Sequence, residues 1–268
     1  MPLARVDGAA LHYESHGDGE PLLLIAGFAC DLSFWSLVTP ALTQSYRVIA
    51  FDNRGMGRSA PLDGPRSLRQ MAEDAAGLLD ALGIKRAHVA GHSMGGQIAL
   101  ELALSHPERV GRLLLISTTA KPDERDKAWV ETFGELPRKV EPRLMARLLM
   151  PWLYTETFYA TPGAVAALEK RLVETPDPPT PEGIYQQSRA ISAFNAAARL
   201  GQVKAPTLVL SGRDDLVFPA QHAERLARDL PDADRLVLPN VGHGLVTEAP
   251  DAVAIAVLAF LAKGFPPS

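Results

Sequence analysis

Apolar positions follow two rhythms along this chain. Through residues 1–119, short unbroken apolar runs alternate with longer segments whose apolar positions return every three or four residues. That is the pattern of strands and helices in turn, and it predicts a parallel sheet covered on both faces. Residues 3–7 and 10–14, joined at Gly8, read as a hairpin. The fully apolar run 22–26 reads as a central strand and 46–51 as the next, followed by a turn-rich stretch over 52–65. Ser67 has the side chain to cap a helix running to about Leu82, where Gly83 stops it. Residues 87–91 predict a short strand, 94–105 a helix ended by Pro107, and 110–117 another strand.

From residue 120 to 204 the strand rhythm is absent. Helical patterns cover 141–154, 164–174 and 182–200, with the proline-dense linker 175–181 between the last two. Alternation then resumes, with strands at 207–211 and 235–238 and helices at 220–230 and 249–263. The expected fold class is therefore α/β: a doubly wound, mostly parallel sheet with a helical cap inserted after the strand ending near Ser117. Residues 1–119 and 205–268 would form the core and 120–204 the cap.

Composition narrows the function classes. A net charge of −4, from 27 basic and 31 acidic residues, offers no concentrated basic face for nucleic acid or an anionic membrane. The longest apolar runs are too short to span a bilayer, and the polar, charged stretch 2–19 does not read as a signal peptide. The single cysteine, Cys30, excludes an internal disulfide or a cysteine metal cage, and no metal cluster or phosphate-binding loop is apparent. A soluble cytoplasmic protein without metal or cofactor is the expectation.

The strongest chemical signal is G-H-S-M-G-G at 91–96, lying between a predicted strand and a predicted helix. A serine on such a tight turn has its hydroxyl lifted above the sheet edge, next to the free N–H groups of the helix start. Ser93 is thus a candidate nucleophile, and a serine needs a base. Of seven histidines, His243 lies in the glycine-flanked loop after the last strand, on the sheet edge that carries the serine. The other six read as structural or solvated, and His92 points away from its neighbour's hydroxyl. The loop after the strand 207–211 carries Asp214 and Asp215, either of which could orient the histidine; Asp215 is preferred, leaving Asp214 as a loop or ion-pair residue.

These stretches, with 22–35, D-N-R-G-M-G-R-S at 52–59, G-R-D-D-L-V-F-P at 212–219 and G-H-G-L-V-T-E-A-P at 242–250, resemble the α/β-hydrolase superfamily over essentially the full chain. The segment 31–35 and the helix before the serine are most similar to 3-oxoadipate enol-lactonase-like and small carboxylesterase members. The resemblance implies an oxyanion hole from the backbone N–H groups of Phe28 and Met94, and a structural ion pair between Asp52 and Arg54. Many members carry His-Gly where this chain has Ala26-Gly27.

The implied reaction is hydrolysis of a carboxylic ester or lactone through an acyl-enzyme on Ser93. Dehalogenases and epoxide hydrolases of the superfamily have aspartate at the Ser93 position, and proline iminopeptidases favour tryptophan at the Met94 position. A C–C bond (meta-cleavage-type) hydrolase and a non-enzymatic ligand-sensing member are the alternatives. Gly27, Trp152, Phe158, Phe194, Val217 and Leu245 are the candidate pocket residues, and they suit a small, largely apolar substrate.

Overall fold

The computed structural model describes residues 2–62 and 64–266. The chain runs β1 (Leu3–Val6), β2 (Ala9–His16), β3 (Glu20–Ile25), α1 (Thr39–Leu42), β4 (Tyr46–Phe51), α2 (Leu68–Ala81), β5 (Ala87–His92), α3 (Met94–Ser105) and β6 (Val110–Ile116). Five helices follow: α4 (Glu124–Glu135), α5 (Pro142–Leu153), α6 (Glu156–Ala160), α7 (Ala164–Val173) and α8 (Pro181–Ser192). The sheet then resumes with β7 (Thr207–Gly212), α9 (Ala220–Asp229), β8 (Ala233–Leu238), α10 (Leu245–Glu248) and α11 (Pro250–Leu261).

The eight strands form one sheet in the order β1-β2-β4-β3-β5-β6-β7-β8. β1 and β2 pair antiparallel and β2 joins β4 antiparallel, while the remaining pairings are parallel. Alternate strand residues feed two cores, because side chains of a strand point to opposite faces. Leu23, Ile25, Val89, Leu113 and Val209 meet α2 and α3 on one face. Leu22, Leu24, Ala90, Leu114 and Leu210 meet α11 on the other. Burial on both faces is why these strands read as unbroken apolar runs.

Local chemistry sets several of the helix ends. Ser67 Oγ accepts from the Gln70 N–H at 3.2 Å while Gln70 Oε1 accepts from the Ser67 N–H at 2.9 Å, a reciprocal cap on α2. Gly83, at φ 68°, turns the chain out of that helix. The expected helix over 182–200 ends earlier, at Ser192. There the Asn195 side chain accepts the Ala197 N–H at 3.2 Å, and the Ala196 N–H donates to Ala120 O at 2.8 Å. These bonds redirect the backbone toward the sheet, and a short 3₁₀ turn (Ala197–Gln202) completes the return.

The expected Asp52–Arg54 pairing takes a different form. Asp52 accepts from the Leu32 and Arg58 N–H groups at 2.8 and 3.0 Å, and its Oδ2 lies 2.8 Å from His12 Nδ1. Arg54 reaches the opposite way, to Asp74 at 2.7 Å and to the Val6 carbonyl at 3.0 Å. Both remain structural, as ties between neighbouring segments.

Candidate active site

β3, β5, β6, β7 and β8 are parallel, so their carboxyl ends share one sheet edge, where open α/β sheets present their ligand sites. β5 delivers the chain to Ser93, whose φ of 54° and ψ of −119° are rarely adopted by a residue with a side chain. The surrounding glycines make that turn possible. A Cβ on Gly91 would stand 2.1 Å from Gly95 O, and one on Gly95 would stand 2.1 Å from Ile25 O. The Ser93 N–H donates to Ile116 O at 2.8 Å, and its carbonyl accepts from Thr118 Oγ1 at 2.7 Å. Ser93 precedes α3 but makes no side-chain cap bond to it. Met94 opens the helix, where N–H groups have no carbonyl one turn back.

From the ends of β7 and β8 come Asp215 and His243, both buried. His243 Nδ1 lies 2.9 Å from Asp215 Oδ2 and 3.1 Å from Oδ1. Asp215 Oδ1 also accepts from the Val217 and Phe218 N–H groups at 2.9 and 2.8 Å. Because an ionised carboxylate only accepts, Nδ1 carries the proton and a neutral ring keeps Nε2 free to accept. Asp214 is exposed and ties its backbone N–H to Val241 O at 3.0 Å, so Asp215 is the aspartate that reaches the histidine.

His92 does more than point away from Ser93. Its Nε2–H donates to the His243 carbonyl at 2.9 Å, and its ring lies 4.6 Å from Phe34 and 4.8 Å from His243, centre to centre. Burial, aided by the neighbouring His243, pushes its pKa down to about 3, so it stays neutral as an anchor for the His243 loop. From the inserted helices, Leu153 O accepts the Gly244 N–H at 2.8 Å. Glu248 accepts from the Thr155 N–H at 2.9 Å and from Thr155 Oγ1 at 3.0 Å. Leu153 and Thr155 were not singled out from sequence, and His92 and Glu248, though inside the recognised stretches 91–96 and 242–250, were not given these roles. Their roles depend on partners distant in sequence, which no local pattern announces.

The loop after β3 closes the third side. A Cβ on Gly27 would lie 3.2 Å from Ser93 Cβ, so the chain passes directly against the serine. Phe28 follows, half-buried, and the Ala29 N–H donates to Gln187 Oε1 of α8 at 2.9 Å. Burial pushes the nearby Cys30 thiol up to about 12, which keeps it an unreactive small group.

Of the other candidate pocket residues, Val217 and Trp152 line a cavity of about 250 Å³ with Trp129, Phe133 and Leu216. Phe158 stacks on Tyr154 at 4.4 Å, and Tyr154 in turn lies against Gly244. Phe194 and Leu245 belong to the cores on the two sheet faces, where adjoining helices enclose them. Asp123, Asp126 and His222 lie close enough together to hold a cation, a grouping the sequence did not signal. Asp123 Oδ1 and Asp126 Oδ2 already accept N–H groups in a reciprocal cap on α4.

A strained serine between strand and helix, with a buried Asp–His pair on the same sheet edge, defines a class. The chain belongs to the α/β-hydrolase fold family, whose model matches residues 20–250. It is 34% identical over 260 residues to a protein of Azorhizobium caulinodans provisionally named carbamate hydrolase RutD, covering 97% of this chain and 98% of that one. The enol-lactonase of Burkholderia xenovorans LB400 superposes with a TM-score of 0.89 at 30% identity, over 97% of this chain and 100% of that one. A thermophilic esterase from Thermogutta terrifontis gives 0.88 at 30% identity, over 99% of both chains. The protein is an α/β hydrolase, and no helix among the described residues is long and apolar enough to cross a membrane.

Proposed function

We propose that this protein hydrolyses a small carboxylic ester or lactone through an acyl-enzyme on Ser93. The observation that carries the reading is the buried Asp215–His243 pair, which leaves His243 Nε2 as a proton acceptor on the sheet edge where Ser93 is held. His243 takes the Ser93 proton as Oγ attacks the carbonyl carbon, and the N–H groups of Phe28 and Met94 hold the developing oxyanion. The same imidazole returns the proton to the leaving alcohol, then activates the water that releases the acid. Asp215 fixes the Nδ1–H tautomer and stabilises the imidazolium. These steps draw only on the chain's own groups and call for neither a metal nor a cofactor.

Residues 120–204 act in this reading as a cap over the site. The support is the row of contacts from Leu153, Thr155 and Gln187 onto the loops that carry His243 and Phe28. The apolar cavity beside Trp152 and Val217 suits the acyl portion of the substrate, since Val217 lies two residues from Asp215. Gly27 passes the scissile carbonyl and Phe158 flanks the His243 loop. The enclosed Phe194 and Leu245 fall outside this lining.

The carbamate in the name of the Azorhizobium relative contains a carbonyl open to the same attack, so carbamates belong in the substrate panel. The test is hydrolysis of a p-nitrophenyl ester series, acetate to decanoate, together with simple lactones and carbamates. A chain-length optimum that disappears in Ser93→Ala supports the reading. A folded protein that turns over none of them sinks it in favour of C–C bond hydrolysis or ligand sensing.

A further inference from the structure

Residues Gly27 to Cys30 form a tight turn, closed by the Cys30 N–H donating to Gly27 O at 3.3 Å. Its third residue, Ala29, has a φ of 57°, whereas Phe28 is not among the residues with positive φ. A positive φ at the third position alone is the signature of a type II turn, which favours glycine or asparagine there. Alanine does not enter that conformation readily. Left to local preference, this sequence would favour the type I form, in which the central Phe28–Ala29 peptide is flipped. An external group must hold the flipped-out form.

That group is Gln187. It is fully buried, and its Oε1 accepts the Ala29 N–H, which is the N–H of the central peptide itself. Nε2 has no partner among the described residues, so this one bond orients the carboxamide. Its helix, α8, is fixed from two sides. A Cβ on Gly183 would lie 2.5 Å from the carbonyl of Gly55 in the core, and one on Gly134 of α4 would lie 2.1 Å from Ser188 Oγ. α8 therefore joins the other inserted helices to the turn that bears Phe28.

We propose that Gln187 is a positioning residue for the oxyanion hole: docking of α8 on the core holds the strained Ala29 turn, and with it the Phe28 N–H, in the form that receives the oxyanion. This rests on the serine-hydrolase reading above. Loss of the bond lets the central peptide relax, which swings the Phe28 carbonyl dipole and redirects the chain beside the donor. Transition-state stabilisation suffers more than substrate binding.

The test is a double-mutant cycle. Gln187→Met keeps the volume and removes the acceptor; Ala29→Gly makes the turn self-supporting. In the otherwise wild-type chain, Gln187→Met should lower kcat on a p-nitrophenyl ester roughly 10- to 100-fold, less than the 100- to 1000-fold cost of deleting an oxyanion donor, with KM within about threefold. The rate of Ser93 labelling by a fluorophosphonate should fall in parallel. In a chain already carrying Ala29→Gly, the same substitution should cost under about threefold, because the two positions are coupled through one bond. An equal loss in both backgrounds, or a loss confined to KM, overturns the proposal and leaves the hydrolase reading standing. A wild type that the fluorophosphonate never labels overturns both. Should Gln187→Met fail to fold alone, recovery of folding without activity in the double variant also counts against the proposal, because the glycine turn would then not substitute for the glutamine.

Discussion

At the scale of single residues, the site depends on atoms held where local preference would not hold them. Ser93 and Ala29 both have positive φ, and Gly91 and Gly95 leave room for backbone that would otherwise collide with a Cβ. A Gly95→Ala substitution would drive a methyl into Ile25 O, so the expected outcome is little soluble protein, or a Tm many degrees lower, by calorimetry. Asp215→Asn removes the acceptor that sets the His243 tautomer. Its kcat on any ester the wild type cleaves should drop about 10⁴-fold while the melting curve moves little, the pattern such a change gives in a Ser-His-Asp site. A drop below tenfold would mean that Asp215 does not serve His243 in this way.

At the scale of elements, the legible parts of the chain were those whose signal is local. The apolar run 46–51 is β4, and the segment 94–105 is α3. Ser67 caps the helix it was expected to cap. Asp215 and His243 were readable because each follows a strand end. Gln187 and the carbonyl of Leu153 were not, since their partners lie far away in sequence and nothing in their neighbourhoods marks them; Glu248 stands inside the recognised stretch 242–250, but its partner Thr155 is 93 residues away. The helix expected to reach residue 200 failed for a similar reason: its end is set by the bond to Ala120, across the insertion. The α4–α8 contact offers a prediction at this scale. Gly134→Leu cannot fit against Ser188, so it should separate the two helices and loosen α8 from the Ala29 turn. Faster hydrogen exchange in residues 181–192, with β5 and β6 still protected, is the outcome to look for.

For the molecule as a whole, buried histidines couple stability to acidity. Burial lowers the pKa of His88 from its ordinary 6.5, and that of His92 to about 3. The unfolded chain would take up protons near pH 6.5 that these rings refuse while folded. Stability therefore falls as pH drops below 6.5, and for His92 the fall continues toward pH 3 at up to about 1.4 kcal/mol per pH unit, with His88 adding to it in the same direction. Replacing His92 by glutamine keeps a donor for the His243 carbonyl and removes the titration. Thermal melts from pH 7 to 4 should give a shallower fall in Tm than the wild type shows; parallel curves would mean that His92 does not set the acid limit.

The bond from the Ala196 N–H to Ala120 O also fixes where the chain leaves the sheet and where it comes back. With both ends fixed side by side, everything between them is a cassette in the engineering sense. A foreign segment would have to start and finish at that hydrogen bond and also bring its own acceptors for the Ala29 and Gly244 N–H groups, in place of Gln187 and the Leu153 carbonyl. On those terms residues 121–195 could change in length without disturbing the order in which the eight strands meet, because the closure cost of a longer loop grows only with the logarithm of its length. Variation in substrate choice can then accumulate on one side of that seam, provided the few bonds that steady the Phe28 and His243 loops from that side are kept.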